Sequence, residues 1–243
     1  KGAVSSMGFE VPFGKGRRLP EIHVDAGGRD VLIRGKIDRL DILEGPQPAV
    51  RVIDYKTGSD YIDLEHFRSG YKLQLMIYLR AGMHRGELKP AGVFYFRIHD
   101  TDINADNKKV VHGEEALNER IEESYKLQGI MLDDTGMINS MDSGFDGNSS
   151  VVPVKFNKTK GVFVPSPGSE LLSEEEFREL SEEVDAQIKR ICTEICDGSI
   201  AAEPKREKKR DMDGKVVTSC RYCRYRSICM FDTAFRGCRF RTV

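Results

Sequence analysis

The feature that most constrains the fold is an apolar, β-branched segment that ends in charge, RVIDYKTG at residues 51–58. Side chains along a strand alternate between two faces, so Asp54 and Lys56 are expected to point the same way. Spacing alone leaves two interpretations of this acid–base pair. One is a salt bridge at a sheet edge, which contributes little. The other is one side of a catalytic centre, in which the acid binds a metal ion and the lysine stabilises the reacting group.

The segments around RVIDYKTG predict its structural neighbours. Two strands precede it, over residues 19–28 and 29–43, and short turns join all three into an antiparallel meander. Over residues 61–83 apolar side chains recur at three- and four-residue spacing, which predicts an amphipathic helix. Residues 91–99 read as another strand. The order β-β-β-α-β predicts an α/β fold around a mixed sheet.

The second half of the chain predicts fewer regular elements. Ser173 and Glu176 have the spacing of a capping box in front of a helix over residues 174–197. Residues 114–129 predict another helix. Residues 133–150 are rich in Asp, Ser, Gly and Asn, so we expect a mobile surface segment there.

Positive charge and cysteine are concentrated near the C-terminus. Residues 205–243 contain twelve Lys or Arg against four Asp or Glu, although the formal net charge of the chain is −1. The six cysteines are Cys192, Cys196, Cys220, Cys223, Cys229 and Cys238. A secreted disulfide scaffold would spread them more widely, so a local metal or cluster site in a cytosolic protein is favoured. No apolar run approaches the roughly 18 residues that span a bilayer, and we expect no membrane partner.

A second acid and two helix side chains favour the catalytic interpretation of Asp54. Asp38 lies on the preceding strand, and the turn at residues 44–49 is expected to make the two strands neighbours. Two carboxylates at strand ends form an oxygen site of the kind that Mg²⁺ accepts. Gln74 and Tyr78 are four residues apart, so they share one helix face and are expected to look back at the strand ends.

Four motifs occur in a fixed order along the chain. They are Gly35-x-Ile37-Asp38-Arg39-x-Asp41, Asp54-Tyr55-Lys56-Thr57-Gly58, Gln74-Leu75-x-x-Tyr78, and the Cys-x2-Cys-x5-Cys of CRYCRYRSIC at residues 220–229. This ordered set closely resembles the RecB-family nucleases of the PD-(D/E)XK superfamily, and among them the AddB-type nuclease domains that carry an iron–sulfur segment. The resemblance covers residues 8–99 and 170–232, which is most of the chain.

The resemblance implies a fold and a set of site residues. The fold is an α/β, restriction-endonuclease-like core with a central mixed sheet flanked by helices over residues 1–200, followed by a basic cysteine-bearing arm over residues 201–243. The implied catalytic side chains are Asp38, Asp54, Lys56, Gln74 and Tyr78. Asp38, Asp54 and the backbone carbonyl of Tyr55 would bind Mg²⁺ or Mn²⁺, and Lys56 would be the catalytic lysine.

The resemblance also implies a [4Fe–4S] cluster held by Cys220, Cys223 and Cys229. Four thiolates normally hold such a cluster, and in this subgroup the remaining one comes from upstream of the nuclease core, whereas the chain has no cysteine before Cys192. The family's first core helix, with a metal-site histidine, is likewise expected to precede residue 1. We therefore expect a piece of a longer protein, with the cluster complete in the full-length protein and absent or incomplete here. A Zn²⁺ site that adds one of the other cysteines is an alternative.

The implied function is that of a Mg²⁺-dependent DNA exonuclease. It would hydrolyse phosphodiester bonds of single-stranded DNA during helicase-coupled processing of double-strand breaks and recombinational repair. The implied partners are DNA and an AddA-type helicase–nuclease subunit, in a heterodimer that acts as an ATP-dependent helicase–nuclease in the bacterial cytoplasm. The alternative is a nuclease-like module that binds DNA without cutting it. Asp38, Asp54 and Lys56 are all present, which favours catalysis.

Overall fold

The described residues form a mixed α/β structure. The computed structural model describes residues 4–58, 61–84, 88–98, 121, 124–143, 145–210 and 216–241. Their strands are β1 (Val4–Phe13), β2 (Ile22–Asp25), β3 (Asp30–Ile33), β4 (Gly35–Leu43), β5 (Ala49–Lys56), β6 (Lys89–Arg97), β7 (Gln128–Leu132), β8 (Val154–Asn157), β9 (Val162–Pro165), β10 (Glu170–Leu172), β11 (Arg206–Arg210) and β12 (Val216–Thr218). Their helices are α1 (Leu64–Arg68), α2 (Gln74–Met83), α3 (Thr135–Met141), α4 (Glu174–Cys196) and α5 (Arg226–Cys229).

A six-stranded mixed sheet in the order β1-β4-β5-β6-β7-β10 forms the centre of the molecule. β1, β4 and β5 are antiparallel neighbours, as the meander predicts for β4 and β5. β5 and β6 run parallel, and α1 and α2 connect them. The predicted α/β class with a central mixed sheet and flanking helices is therefore confirmed.

β5 is buried along most of its length because it lies between β4 and β6. Its first six residues are buried, and burial decreases only at Tyr55 and Lys56, where the strand ends. Helix α2 packs against β5 and β6 and covers this part of the sheet. A strand that is covered on both faces reads as a continuous apolar run, so the acid at its end is placed at the boundary between the core and the surface.

Helix α4 begins at the predicted residue with the predicted capping box, and it ends at Cys196, one residue before the predicted end. The Ser173 hydroxyl accepts a hydrogen bond from the Glu176 amide, and the Glu176 carboxylate accepts one from the Ser173 amide. Its buried stripe consists of Phe177, Leu180, Val184, Ile188 and Cys192. Ile195, which the spacing places on the same stripe, is exposed. The apolar face of α4 therefore ends one turn before the helix does.

Two predicted elements are each divided in two. Residues 29–43 do not form one strand: β3 pairs with β2 in a separate two-stranded sheet, and β4 begins after Arg34. Residues 61–83 do not form one helix, because Gly70 adopts a φ of +74° between α1 and α2. A positive φ is accessible to glycine and costly for other residues, so the chain turns there.

Three further predictions differ from the structure. β1 was not predicted, and it forms an edge of the main sheet. Residues 133–150 were predicted to be a mobile surface segment, yet they contain α3, whose Met137, Ile138 and Met141 are buried. The helix predicted over residues 114–129 lies largely outside the described residues, and its last two positions belong to β7.

The C-terminal residues form a small unit that contacts the preceding chain. The Arg241 amide donates to the Pro204 carbonyl, and the Arg241 guanidinium forms an ion pair with Glu194 of α4. The division into a core over residues 1–200 and an arm over residues 201–243 stays a prediction. In the described part of the chain, no helix has the length and apolar character needed to cross a membrane.

Candidate active site

Asp54 and Lys56 form an ion pair at the end of β5. Lys56 Nζ lies 2.6 Å from Asp54 Oδ2. Only 1% of Asp54 is exposed, whereas the Lys56 side chain is about a quarter exposed, at 23%. Asp54 is therefore buried, whereas Lys56, two residues further along β5, is in contact with solvent. An ion pair alone agrees with both interpretations of the sequence, so the neighbouring residues decide whether it is also part of a site.

Asp38 reaches the end of β5 from the neighbouring strand. The β4–β5 register pairs Arg39 with Ile53, so the next residues in line are Asp38 and Asp54. The Asp38 Oδ2 atom accepts a hydrogen bond of 3.0 Å from the Tyr55 amide, which follows Asp54 directly. The two carboxylates are therefore brought to the same end of the hairpin, as their positions on adjacent strands predict.

Gln74 and Tyr78 extend the polar cluster from the first turns of α2. Lys56 Nζ donates to Gln74 Oε1 at 3.1 Å, and Gln74 Nε2 donates to the Tyr78 hydroxyl at 2.9 Å. The Tyr78 ring packs edge-on against Phe13 of β1, with the ring centroids 6.1 Å apart. Because α2 starts at Gln74, the turn at Gly70 determines the positions of Gln74 and Tyr78. A continuous chain of contacts joins Asp54, Lys56, Gln74 and Tyr78.

A second charged cluster lies on the other face of the same hairpin. Asp41 is fully buried and accepts from Arg51 Nε at 2.9 Å and from Arg39 Nε at 3.0 Å. Burial lowers the pKa of Arg51, and the charge of Asp41 opposes that effect. Burial also lowers the pKa of Arg39, but hydrogen bonds to Asp41 and Tyr55 outweigh it, so the pKa is raised. Asp41 is therefore shared by two guanidinium groups, one buried and one partly exposed.

The sequence suggests Arg39 and Asp41 as a surface pair but does not reveal Arg51 or the burial of the cluster, although the hairpin register identifies Arg51. The same register that aligns Asp38 with Asp54 places Asp41 opposite Arg51. Side chains of directly paired residues lie on the same face of a sheet. Asp41 and Arg51 are therefore neighbours on the face opposite to that of Asp54. Arg39 joins them and stacks over Phe9 of β1 with its guanidinium carbon 5.3 Å from the ring centroid.

The oxygen donors near Asp54 suit a hard divalent cation. Asp38, Asp54 and the Tyr55 carbonyl are the oxygen ligands that Mg²⁺ takes, and Mg²⁺ usually binds one or two carboxylates while it keeps several waters. Within the described ranges, no three His, Cys, Asp or Glu side chains are grouped closely enough to hold a metal ion by themselves. The site fits an ion that relies on two acids, a backbone oxygen and water or substrate.

Three cysteines of the C-terminal arm line one pocket. Cys220, Cys223 and Cys229 surround a cavity of about 570 Å³, together with aromatic side chains that include Phe231, Phe235 and Phe240. Cys238 is not part of its wall. Cys192 is buried in α4, and this burial raises the pKa of its thiol. The three cysteines of the Cys-x2-Cys-x5-Cys motif therefore share the wall of one cavity, without coming close enough together in the described residues to hold a metal ion by themselves, and the cysteines of α4 lie outside that wall.

This fold and site place the chain in a known class of enzymes. Residues 1–230 match the family model of the PD-(D/E)XK nuclease superfamily, and the chain belongs to that superfamily. It is similar to an AddB-type protein of Thermoanaerobacter sp. (strain X514), described as a subunit of an ATP-dependent helicase/deoxyribonuclease, with 34% identity over 240 residues that cover 96% of this chain and 20% of the relative. The protein of the same description from Alkaliphilus metalliredigens (strain QYMF) is 33% identical over 252 residues, covering 100% of this chain and 21% of the relative.

The comparisons confirm the predicted resemblance. The chain is a PD-(D/E)XK nuclease domain that is homologous over its full length to part of these AddB-type proteins. It spans about a fifth of the length of the relatives that it matches. The individual roles of Asp38, Asp54, Lys56, Gln74 and Tyr78 stay predictions, because a match of whole chains assigns no role to a single side chain.

Proposed function

We propose that this chain is the nuclease domain of a helicase–deoxyribonuclease and that it hydrolyses phosphodiester bonds of single-stranded DNA as a metal-dependent exonuclease. The contact chain from Asp54 through Lys56 and Gln74 to Tyr78 carries this proposal, because it joins the acid and the lysine to a supporting helix. Asp38 adds a second carboxylate at the same end of the hairpin. A salt bridge that only stabilises the sheet edge does not require these additional polar groups.

The two acids supply the place for the metal ion. Asp38, Asp54 and the Tyr55 carbonyl would hold Mg²⁺ or Mn²⁺, which when bound neutralises charge on the phosphoryl group and lowers the pKa of the attacking water. The hydrogen bond from the Tyr55 amide keeps the Asp38 carboxylate directed at the end of β5. Lys56 Nζ lies 2.6 Å from Asp54 Oδ2 and so places a positive charge beside this carboxyl group.

Lys56 is the residue that acts on the reacting group. Its ammonium group has three donors, of which Asp54 and Gln74 each receive one. In the described part of the chain these contacts account for two of the three donors, and the third would orient the attacking water or stabilise the negative charge that develops on the phosphoryl oxygens. Because the lysine is held from two sides before substrate arrives, little reorganisation is needed during the reaction.

Gln74 and Tyr78 are positioning residues for this lysine. The Gln74 amide donates through Nε2 to Tyr78, so its Oε1 atom faces Lys56. If the amide were reversed, its NH₂ group would meet the lysine ammonium group, and donor would face donor. Lys56 therefore selects the orientation of Gln74, because the Tyr78 hydroxyl can either donate or accept, and Gln74 in turn holds the Nζ atom of Lys56.

The C-terminal arm is proposed to hold the [4Fe–4S] cluster. Cys220, Cys223 and Cys229 support this proposal because they line one cavity with aromatic and apolar neighbours, although in the described residues they are not close enough together to hold a single metal ion. The cluster would act as a covalent staple for this short arm, in which the described helices and strands have few residues. Thiolates are its usual ligands.

The wider role is proposed from the relatives. Their description combines a helicase with a deoxyribonuclease and names a subunit. We propose that DNA and an AddA-type helicase–nuclease subunit are the partners of the full-length protein, in a heterodimer that processes double-strand breaks for recombinational repair. The relatives are bacterial proteins, which supports a cytoplasmic location.

The test compares Asp54→Asn and Lys56→Met with the unchanged protein. Both substitutions keep the side-chain size and remove the charge, so we expect degradation of end-labelled single-stranded DNA in Mg²⁺ or Mn²⁺ to fall by at least roughly 100-fold. Asp30→Asn is the matched control, since Asp30 is an exposed strand acid that pairs with His23 on the β2–β3 hairpin.

The outcomes separate the proposal from its alternative. Cleavage by both variants at the rate of the unchanged protein would show that the site is assigned to the wrong residues. Binding of single-stranded DNA by the unchanged protein, without cleavage in either metal, would favour the nuclease-like DNA-binding module. The measurement is made on the chain alone and on a full-length protein that contains it, together with its partner subunit.

A further inference from the structure

Aromatic rings and lysines alternate from the candidate active site outwards. Lys56 Nζ lies 5.6 Å from the centroid of the Tyr95 ring, and Lys72 Nζ lies 5.7 Å from the same centroid. Lys72 Nζ is also 5.1 Å from the centroid of the Tyr61 ring. The register pairs Tyr95 with Asp54, so this row begins on the sheet face that carries the catalytic acid.

The row continues through His66 to the C-terminal arm. The His66 ring lies 5.3 Å from the Tyr61 ring and 5.2 Å from the Tyr71 ring, centroid to centroid. Lys205 Nζ lies 5.7 Å from the Tyr71 centroid. We call the set of Lys56, Tyr95, Lys72, Tyr61, His66, Tyr71 and Lys205 the aromatic row.

Within the aromatic row, a buried histidine lies between two exposed tyrosines, as expected of a binding surface that is supported from inside the protein. His66 is only 2% exposed, whereas Tyr61 and Tyr71 are 36% and 46% exposed. The His66 carbonyl accepts hydrogen bonds from the amides of Tyr71 and Lys72, at 2.9 and 3.1 Å. The buried His66 thus holds the Tyr71 ring through a ring–ring contact. Its backbone carbonyl holds Lys72 through a hydrogen bond. Lys205 is buried against Tyr71 and supports that ring from the arm.

A single strand of DNA has the chemistry that such a row recognises. Its bases offer π-faces that stack on aromatic side chains, and its phosphates alternate with the bases along the backbone. A duplex keeps its bases stacked inside and offers them to no ring. Exposed tyrosines flanked by lysines therefore match one strand and not two. The row also ends at Lys56, where the scissile phosphate would lie.

We infer that Tyr61 and Tyr71 stack bases of the single strand that enters the active site, and that Lys72, which lies between Tyr61 and Tyr95, contacts its backbone. This inference rests on the proposed nuclease function, and it specifies how the site selects single-stranded DNA. Tyr61 and Tyr71 are binding residues that lie away from the scissile phosphate. His66 and Lys205 position them.

The first test measures binding without cleavage. Fluorescence anisotropy of a labelled single strand in EDTA gives the affinity of the unchanged protein and of Tyr61→Ala and Tyr71→Ala. Each loss of a ring is expected to weaken binding about tenfold, while Tyr71→Phe keeps the ring and the affinity. Tyr125→Ala is the matched control, because Tyr125 is also 46% exposed and stacks on Phe96, which pairs with Tyr55 on the other sheet face.

An abasic strand gives a readout that a merely structural role would not change. A single abasic site is moved step by step along the oligonucleotide. The unchanged protein is expected to bind about tenfold more weakly when the site falls where Tyr71 stacks, and Tyr71→Ala is expected to bind that strand and the intact strand equally. If Tyr71→Ala keeps the full sensitivity at every position, the ring does not stack on a base and the inference is overturned.

Cleavage assays on the same proteins distinguish this inference from the proposed function. Base-dependent binding that Tyr71→Ala abolishes, in a protein that cuts in neither metal, would support the aromatic row and refute the nuclease assignment. Cleavage by the unchanged protein, with unaltered binding by both tyrosine variants, would support the nuclease assignment and refute the aromatic row. Binding of a duplex of the same sequence is expected to be equal in the unchanged protein and Tyr71→Ala, and a loss there of about tenfold would overturn the selection for single strands.

Discussion

Two sets of charged side chains share one hairpin and occupy its opposite faces. Asp38 and Asp54 lie at the candidate active site, while Asp41 and Arg51 are buried behind it. Arg39 lies between the two sets, because it bonds to Asp41 and directly follows Asp38 in β4. The Tyr55 amide in turn binds Asp38. The buried pair is thus connected to the candidate active-site end of β5 through neighbouring residues of β4 and β5.

Removal of Asp41 is expected to be costly. Asp41→Ala leaves Arg51 buried without its carboxylate, so the free energy of unfolding should fall by roughly 3–5 kcal/mol. Urea denaturation followed by circular dichroism measures this loss. The double variant Asp41→Leu with Arg51→Met removes both charges and keeps the volume, and it should recover most of the stability. An Asp41→Ala protein that unfolds at the same urea concentration as the unchanged protein would contradict the importance of the pair.

The sequence predicted the acidic face of this hairpin better than its buried face. A period of two along β5 and a short turn before it were enough to align Asp38 with Asp54 and Lys56. Asp41 stands two residues from Arg39, so the sequence also suggests a mutual surface pair. Only the register with β5 shows that Arg51 lies opposite Asp41 in the core. Charged residues in a sequence are usually expected to be exposed. The burial of Asp41 and Arg51 is recognised only when the pairing of β4 with β5 is known.

Helix boundaries depend on single residues that periodicity does not reveal. The apolar spacing continues from α1 into α2, because both helices pack on the same core. Gly70 interrupts the backbone between them with a positive φ, and its amide bonds to the Phe67 carbonyl. A glycine is also tolerated inside a helix at a cost of about 1 kcal/mol, so the pattern alone could not decide. The start of α2 at Gln74 follows from this turn.

The capping box of α4 is expected to stabilise the helix, and this contribution can be measured. Ser173→Ala removes the hydroxyl that accepts the Glu176 amide, and the free energy of unfolding at neutral pH is expected to fall by about 1 kcal/mol. Urea denaturation measures the difference, with Ser181→Ala in the helix interior as the control for loss of a serine hydroxyl. Equal stability of Ser173→Ala and the unchanged protein would show that the box does not stabilise the helix.

The same box has a pH dependence with a defined sign. Hydrogen bonds from the Ser173 amide and then from its hydroxyl lower the pKa of Glu176. A carboxyl whose pKa is lower in the folded state stabilises the fold above its unfolded pKa, near pH 4, and this contribution is lost as the pH falls through the lowered value. The stability difference between the unchanged protein and Glu176→Gln should therefore shrink on acidification. A difference that stays constant from about pH 7 to about pH 3 would contradict this linkage.

The whole molecule joins a sheet-centred fold to a C-terminal arm whose described residues are mostly exposed. The arm meets the rest of the chain through Arg241 and through Lys205, which packs on Tyr71 of the aromatic row. The arm is therefore expected to support Tyr71 and, with it, the binding of single-stranded DNA along the aromatic row. Composition and cysteine spacing predicted a separate basic segment, but they could not show which core residues it contacts, because such contacts depend on the tertiary fold.

The cysteine pocket gives the prediction for the molecule as a whole. Three thiolates are one fewer than a [4Fe–4S] cluster normally takes, so anaerobic reconstitution of this chain should give iron and sulfide below four atoms each per chain. Cys220→Ser, Cys223→Ser and Cys229→Ser should each lower that content and the visible absorption further, because each removes a ligand from the pocket wall. Cys196→Ser is the matched control, since this half-buried thiol of α4 lies outside that wall. Stoichiometric zinc that Cys238→Ser removes would contradict the cluster and favour a four-cysteine zinc site, because zinc in structural sites takes four ligands.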